Sequence, residues 1–142
     1  MNDVRVILQQ ENMVAVNNAL MVDLTGQVAS EGVGPRVWAG AGGQASFAIG
    51  ATYSPGGRSI IVLPSTAVTR EGAGSRIVSA LPFGTSVTVT RDYVDYVVTE
   101  YGIASVRDKS YRERIGELIA IAHPEVRPKL KREAAEMYGY LC

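Results

Sequence analysis

Three glycines lie close together in a segment whose backbone could hold an anion or a polarised carbonyl group. The segment runs from Arg36 to Gly50, and its glycines are Gly40, Gly42 and Gly43. Apolar residues precede them, as at the end of a strand, and small residues follow, with a helix expected to begin at Gln44 or Ala45. Glycine lets a ligand lie against the backbone, and the first N–H groups of a helix have no partner within the helix. The pattern predicts a binding loop. A strand-to-helix turn without a ligand remains the alternative, because the spacing is neither the dinucleotide-binding nor the P-loop pattern.

Other side chains are candidates for chemistry, and each also has a structural interpretation. Glu100 follows a predicted strand, as a catalytic carboxylate would, although the motif around it is also explained as structural. His123, the only histidine, precedes a proline where a helix cap is expected. Three arginines could donate to phosphate groups or could form surface or loop-pinning ion pairs: Arg58, Arg70 and Arg76. No cluster of His, Cys, Asp and Glu has metal-ligand spacing, so no metal is expected.

The composition indicates a globular α/β protein of one domain. Of its 142 residues, 46% are hydrophobic and 20% are charged. Lys plus Arg and Asp plus Glu both number 14, so no net charge attracts nucleic acid or an anionic membrane. The single cysteine, Cys142, excludes an internal disulfide, and no apolar run has the length of a signal core or membrane span. We therefore expect a cytoplasmic protein with neither a nucleic-acid nor a membrane partner.

The first half of the chain has a pattern of strands around the glycine segment. A short helix is expected within Asp3–Gln10, and the apolar runs within Met13–Leu24 predict strands that are buried on both faces. Arg58–Leu63 is the clearest buried strand. The polar segment Ser65–Gly74 is expected to be a loop.

The second half begins with strands and ends with helices. Strands are predicted at Arg76–Leu81, Ser86–Arg91 and Tyr93–Thr99. Ser110 and Glu113 have the spacing of a capping box. Apolar residues follow at helical spacing: Ile115, Leu118, Ile119 and Ala122. A second helix is expected from Pro124 to just before Gly139, with these residues on its apolar face: Val126, Leu130, Ala134 and Met137.

Five sequence segments, taken together, resemble one family. They are Asn17–Val28, Ala39–Gln44, Gly57–Thr66, Val97–Ala104 and Ile119–Pro124. Their order and spacing closely resemble the C-terminal half of the acetyl-CoA hydrolase/transferase family, which includes 4-hydroxybutyrate and acetate CoA-transferases. The resemblance extends from Asn2 to about Met137.

The resemblance implies a fold of the NagB/RpiA/CoA-transferase-like type. Its features are a mixed or mostly parallel sheet flanked by helices, followed by C-terminal helices. Residues 1–142 then form a C-terminal domain without the half that carries the catalytic glutamate, and the chain is either an excised half or a truncated gene product. The missing N-terminal domain becomes a partner, and the full enzyme is expected to be a homodimer or larger.

The resemblance also implies roles for individual residues. Gly43 corresponds to the glycine whose N–H holds the thioester oxygen, and Asn2 to an asparagine that orients the missing glutamate. Gly40, Gly42, Gln44 and Phe47, together with Gly43, correspond to residues that border CoA. The family often has an acidic residue where this chain has Ser46. CoA or acyl-CoA is implied as the substrate, without a metal.

The implied activity is CoA transfer between an acyl-CoA and a short carboxylate of the 4-hydroxybutyrate, acetate or butyrate type. In that family it proceeds through a glutamyl-CoA thioester, whose glutamate would lie outside this chain, so the chain alone is expected to be inactive. Acyl-CoA hydrolysis is an alternative. The remaining alternatives are a non-catalytic CoA- or phosphate-binding module and a half that only completes another subunit.

Overall fold

The computed structural model describes residues 2–139. Cys142, on which the expectation of a cytoplasmic protein partly rested, lies outside the described residues. The strands are β1 Val14–Asn18, β2 Met21–Asp23, β3 Val28–Ala29, β4 Gly32–Val33, β5 Arg36–Val37, β6 Arg58–Val62, β7 Thr66–Thr69, β8 Gly72–Ser75, β9 Ile77–Val78, β10 Tyr96–Thr99 and β11 Gly102–Ser105. The α-helices are α1 Val4–Ile7, α2 Gln44–Tyr53, α3 Tyr111–Ala120 and α4 Arg127–Tyr138.

The centre of the fold is a four-stranded sheet in the order β1-β6-β10-β11. Strands β1, β6 and β10 are parallel, and β11 returns antiparallel to β10 through a tight turn. A smaller, three-stranded sheet has the order β3-β2-β9. The expected mixed sheet followed by C-terminal helices is therefore confirmed.

Helices cover one face of the central sheet. α2 packs against β1 and β6, and α3 packs against β11. The residues of the covered face are buried: Ala15, Ser59, Ile61, Val97 and Ala104. The opposite face, which we call the open sheet face, includes Val14, Val16, Ile60, Val98 and Ile103 in register, and Val16 is 60% exposed and Ile103 67%. The prediction that the first strand is buried on both faces was wrong, because no helix within the described residues covers the open sheet face.

The C-terminal helices form largely as predicted. Ser110 and Glu113 make the reciprocal capping box of α3, and the predicted apolar positions of that helix are all buried. A 3₁₀ turn, Pro124–Val126, precedes α4, whose first turn accommodates Pro128. The prediction for Met137 was wrong, since it is 50% exposed. The core-facing row of α4 instead continues to Tyr138, which packs against the core.

Two segments in the middle of the chain differ from their predicted structure. Ser65–Gly74 is not a loop, because β7 and β8 pair as a hairpin that turns at Arg70 and Glu71, and Gly72 follows the turn with a φ of +108°. Ser86–Arg91 is not a strand, since its only ladder contact in the described structure is an isolated bridge from Val89 to Val28. Strand β3 is only two residues long, so it offers little edge for a further strand to pair with.

Candidate functional site

The glycine loop connects a small hairpin to α2. Strands β4 and β5 pair, and Trp38 N–H then donates to the carbonyl of Glu31 at 2.8 Å. The chain from residue 35 to residue 42 is exposed, and Gly42 has a φ of +56°, a conformation that favours glycine. α2 begins at Gln44, the first of the two predicted starts. The loop therefore presents bare backbone to its surroundings.

The N-terminus of α2 has no side-chain cap, because its N-cap residue is Gly43. Gly43 contributes its carbonyl to the helix, which accepts from the N–H of Phe47 at 3.0 Å. The first N–H groups of a helix carry partial positive charge and bind anions or polarised oxygens well. An uncapped start beside a glycine loop is thus chemically suited to hold a carbonyl oxygen.

The structure brings Asn2 and Gly43 together. A Cβ built on Gly43 would lie 2.8 Å from Nδ2 of Asn2 and 3.0 Å from its Oδ1. Gly43 has a φ of −95°, which any residue can adopt, so backbone strain does not require glycine here. A Cβ at this position would instead displace the Asn2 amide, which is the end of an exposed side chain.

A second glycine on α2 sets this arrangement. Gly50 lies seven positions after Gly43 and therefore on the same side of the helix, where a Cβ would overlap the side chain of Ile7. Ile7 is buried and ends α1, a helix that Asp3 caps by accepting from the N–H of Arg5 at 2.9 Å. The N-terminal segment therefore packs along α2, with Ile7 over Gly50 and Asn2 over Gly43.

Gln44 ties the loop to the central sheet. Its Nε2 donates to the carbonyl of Asn18 at 3.2 Å, and Asn18 is the last residue of β1. In open α/β sheets, ligands bind in the crevice beyond the carboxyl ends of parallel strands. A cleft of about 340 Å³ lies at this edge, and its lining includes Asn18, Val62 at the end of β6, and Arg76. The glycine loop is therefore at the edge of the sheet where a site is expected.

Glu100 lies after β10, at the carboxyl end of a parallel strand, and its carboxylate is already engaged. Ser65, which follows β6, donates to it through its N–H at 2.8 Å and through its Oγ at 2.5 Å. The hydroxyl hydrogen bond, followed by the backbone one, lowers the pKa of Glu100 from the ordinary value of 4.5. The carboxylate thus links the ends of β6 and β10, in agreement with its structural interpretation.

The remaining predicted candidates lie in different parts of the fold, and only one of them is close to the glycine loop. His123 caps the 3₁₀ turn by accepting the N–H of Glu125 on Nδ1 at 3.3 Å. Arg58 begins β6 and so lies at the opposite edge of the sheet from the glycine loop. Arg70 is exposed at the tip of the β7–β8 hairpin. Arg76 alone of the three arginines lines the cleft beside the loop.

Sequence reasoning missed Trp38 and did not choose Arg76. Both line a second, apolar cleft that adjoins the first. The available signal was the position of the only tryptophan, directly before the glycine run, but the residues opposite it come from a distant hairpin. Within residues 2–139, no three His, Cys, Asp or Glu side chains are grouped to hold a metal, and no helix is long and apolar enough to cross a membrane.

Comparison with known families and curated proteins gives consistent matches. The acetyl-CoA hydrolase/transferase C-terminal domain matches residues 1–134. The 4-hydroxybutyrate coenzyme A transferase of Clostridium kluyveri is 48% identical over 132 residues, which are 93% of this chain and 30% of the relative. The acetyl-CoA hydrolase of Schizosaccharomyces pombe is 32% identical over 136 residues, 93% of this chain and 25% of that protein.

Solved structures agree with these sequence matches. The crystal structure of 4-hydroxybutyrate CoA-transferase from Porphyromonas gingivalis superposes with a TM-score of 0.76 at 41% identity, covering 96% of this chain and 30% of that one. RipA from Yersinia pestis gives a TM-score of 0.86 at 39% identity, with the same coverage. The chain thus spans about 30% of the length of the transferases that it matches.

Proposed function

The chain belongs to the acetyl-CoA hydrolase/transferase family by its C-terminal domain, and from that membership we propose that it works as the C-terminal domain of a CoA-transferase. The reaction moves CoA between an acyl-CoA and a short carboxylate of the 4-hydroxybutyrate, acetate or butyrate type. The carboxylate that takes up the acyl group in covalent catalysis lies outside this chain. This chain contributes CoA-ester binding and stabilisation of the thioester oxygen.

The contact between Asn2 and Gly43 carries this proposal. In the proposed site, the N–H of Gly43 donates to the thioester carbonyl oxygen, and the amide of Asn2 orients the attacking glutamate. Both groups must then lie next to the same reacting carbon. Their adjacency supports this, because a Cβ on Gly43 would fall 2.8 Å from Nδ2 of Asn2. A fixed donor in a water-poor site stabilises the charge that develops on the oxygen.

We assign CoA binding to the loop and the first turn of α2. Gly40 and Gly42 have no atom within 4 Å of an added Cβ, so a ligand can approach their backbone. Gln44 is held by Asn18 at the sheet edge, and Phe47 lies half-buried in the first turn. These contacts support a CoA ester that lies along the loop with its thioester toward Gly43.

The open sheet face supports a partner domain. Parallel strands are normally covered on both faces, yet Val14, Val16 and Ile103 are exposed. Because the chain spans about 30% of the transferases it matches, we assign this face to the region that precedes the match in such proteins. Assembly into a homodimer or larger oligomer, and a cytoplasmic location, are parts of the same proposal.

Acyl-CoA hydrolysis is the second candidate, because acetyl-CoA hydrolases are also among the relatives. The two reactions differ in whether a second carboxylate or water resolves the glutamyl-CoA thioester, so that CoA is either passed to a new acyl group or released. The higher identity to a transferase, 48% against 32%, favours transfer. Release of free CoA in the absence of an acceptor acid separates the two.

A hybrid enzyme tests the proposal. Residues 1–142 replace the segment that they match in the Clostridium kluyveri transferase, and acyl exchange between acetyl-CoA and 4-hydroxybutyrate is measured. The expected result is exchange by the hybrid and none by residues 1–142 alone, because the covalent carboxylate is outside them. A folded hybrid without exchange or CoA release would overturn the proposal, and CoA release without an acceptor would identify a hydrolase.

A further inference from the structure

A nearly uncharged cleft lies between two hairpins next to the glycine loop. Leu20 and Met21 line it together with Val33 of the β4–β5 hairpin, the adjoining Trp38, and Ala67 of the β7–β8 hairpin. Its volume is about 280 Å³. This is slightly below the range of about 300–1,000 Å³ that drug-sized ligands occupy. The cleft therefore suits a small apolar group.

Arg76 lies where this cleft meets the cleft at the carboxyl ends of β1 and β6, and it lines both of them. Its Nη1 donates to the carbonyl of Ala19 at 3.4 Å, which is long for a hydrogen bond. Its Nε is buried and has no partner within residues 2–139. No carboxylate in this part of the chain forms an ion pair with it. A cation with unused donors thus stands at the end of an apolar cleft.

We propose that this cleft binds the alkyl chain of a short monocarboxylate such as butyrate, with the carboxylate on Arg76. A carboxylate matches the guanidinium, since two oxygens can accept from its fork of N–H groups. A phosphate of CoA does not suit the apolar part of the cleft, where its oxygens would lose water without gaining donors. The inference rests on the proposed function, which it extends by naming where the carboxylic acid substrate is recognised.

The cleft is continuous with the candidate site. Leu20 and Arg76 line both clefts, and Asn18 lines the one at the sheet edge while its carbonyl holds Gln44 at the start of α2. A carboxylate on Arg76 therefore lies on the side of the apolar cleft that connects with the glycine loop. The alkyl chain then extends toward Trp38, so Trp38 limits the length of the chain that the cleft accepts.

Trp38 provides a direct measurement, because it is the only tryptophan of the chain. The chain of 142 residues is titrated with butyrate, butyramide and acetate while Trp38 emission is recorded. Butyrate is expected to change the emission saturably. Butyramide, which has the same shape without the charge, is expected to bind at least about tenfold more weakly, a difference that one charged hydrogen-bonded pair readily supplies. Acetate is expected to bind more weakly by a similar factor, because its shorter chain buries less apolar surface in the cleft.

Matched variants locate the carboxylate. Arg76→Gln should make butyrate and butyramide bind equally, and Arg76→Lys should retain the preference for butyrate. Arg70→Gln, at the exposed tip of the β7–β8 hairpin, should leave all three affinities unchanged. Circular dichroism melting confirms that each variant is folded, and the Lys variant keeps the test valid if the Gln variant is not.

The experiments distinguish a failure of this inference from a failure of the proposed function. Amide resonances of Leu20 and Met21 are followed by NMR in the same titration, so a silent tryptophan does not hide binding. If neither Trp38 emission nor these resonances respond to butyrate, or if butyramide binds as well as butyrate to the unmodified chain, the inference is overturned. Acyl exchange by the hybrid without butyrate binding refutes the cleft alone, and butyrate binding without exchange refutes the transferase alone.

Discussion

The side-chain amide of Asn2 lies against the Cα of Gly43, in the space that any side chain at position 43 would need. The contact depends on a second one two turns further along α2, where Ile7 lies over Gly50. Two glycines on one side of a helix thus let the N-terminal segment pack closely enough to place an amide beside the uncapped helix start. Each of the two contacts can be tested separately.

Gly43→Ala should reduce activity much more than stability. The added Cβ would lie 2.8 Å from Nδ2 of Asn2, so the amide must move away, and the Cβ would also crowd the thioester oxygen. The backbone tolerates the change because φ is −95°. In the hybrid enzyme, the Cβ is expected to push the thioester oxygen out of reach of the Gly43 N–H, so kcat should fall by about 10²–10³, the typical loss for one oxyanion donor, while the melting temperature changes little.

The matched control is Gly116→Ala, on α3 and outside the proposed site, where an added Cβ also meets no atom within 4 Å. Its kcat should stay within about threefold of the unmodified hybrid, a change of well under 1 kcal/mol in the barrier. Glu100→Gln should also cost less activity than Gly43→Ala, because Ser65 already engages that carboxylate. If Glu100→Gln reduces kcat more than Gly43→Ala does, the assignment of the site to Gly43 is wrong.

Gly50→Ala should destabilise the chain although alanine is the better helix former. Alanine favours a helix by about 1 kcal/mol over glycine, but the new methyl group would overlap Ile7, which is buried. Overpacking of a core contact costs about 1–3 kcal/mol, so a net loss is expected in urea unfolding. In an Ile7→Ala background, where the overlap is absent, Gly50→Ala should no longer cost stability, and an increase in stability from Gly50→Ala alone would contradict the contact.

The sequence predicts those elements whose signals are local. The capping box of Ser110 and Glu113 marks the start of α3, and the glycine run before Gln44 marks the start of α2. The burial of β1 was mispredicted because an apolar run does not show whether one or both faces of the strand are covered. Within the described residues no element covers the second face, so Val16 is exposed.

For the candidate site, too, one part could be predicted from local sequence and another part could not. The glycine loop is contiguous in the sequence and could be recognised there. The contact between Asn2 and Gly43 depends on how α1 packs against α2, and the apolar cleft depends on two hairpins that face each other. Neither has a local signal, so Trp38 became a candidate only through tertiary structure, and Arg76 could not be told apart from Arg58 and Arg70 in the sequence.

The open sheet face should make residues 1–142 self-associate when they are alone. Apolar patches on soluble proteins are usually sites of contact, and Val16 and Ile103 are both more than half exposed on this one. Sedimentation velocity at increasing concentration should show a growing fraction of dimers or larger species. Ile103→Thr, which keeps a β-branched residue in β11, should reduce it.

The hybrid enzyme supplies the control for this surface, because its preceding region is expected to cover the face. In the hybrid, Ile103→Thr should therefore leave the degree of association unchanged, whereas it should reduce the association of the isolated chain. A chain that stays monomeric at all concentrations would show that the face needs no cover. Met137→Thr, which removes an exposed apolar side chain on α4, away from the sheet, should leave the association unchanged.

Glu100 should contribute a measurable part of the acid sensitivity of the fold. Hydrogen bonds from Ser65 Oγ and N–H lower its pKa below the ordinary 4.5, so the unfolded chain binds more protons than the folded chain as the pH falls through this range. The free energy of unfolding that this carboxylate contributes is therefore present above pH 4.5 and is lost as the pH falls through the lowered pKa of the folded state. Glu100→Gln should lower the melting temperature at neutral pH and flatten its decline between about pH 6 and about pH 3.

Ser65→Ala provides the graded comparison for Glu100. It removes the hydroxyl donor and leaves the backbone donor, so its decline with pH should lie between those of the unmodified chain and Glu100→Gln. Some decline must persist in every variant, because the pKa of Asp3 is lowered by its hydrogen bonds to Arg5 and that of Glu113 by its hydrogen bonds to Ser110. Melting curves recorded by circular dichroism across this pH range decide the matter. If the curves for Glu100→Gln and the unmodified chain run parallel down to the most acidic point, the link between the ends of β6 and β10 does not depend on the ionised carboxylate.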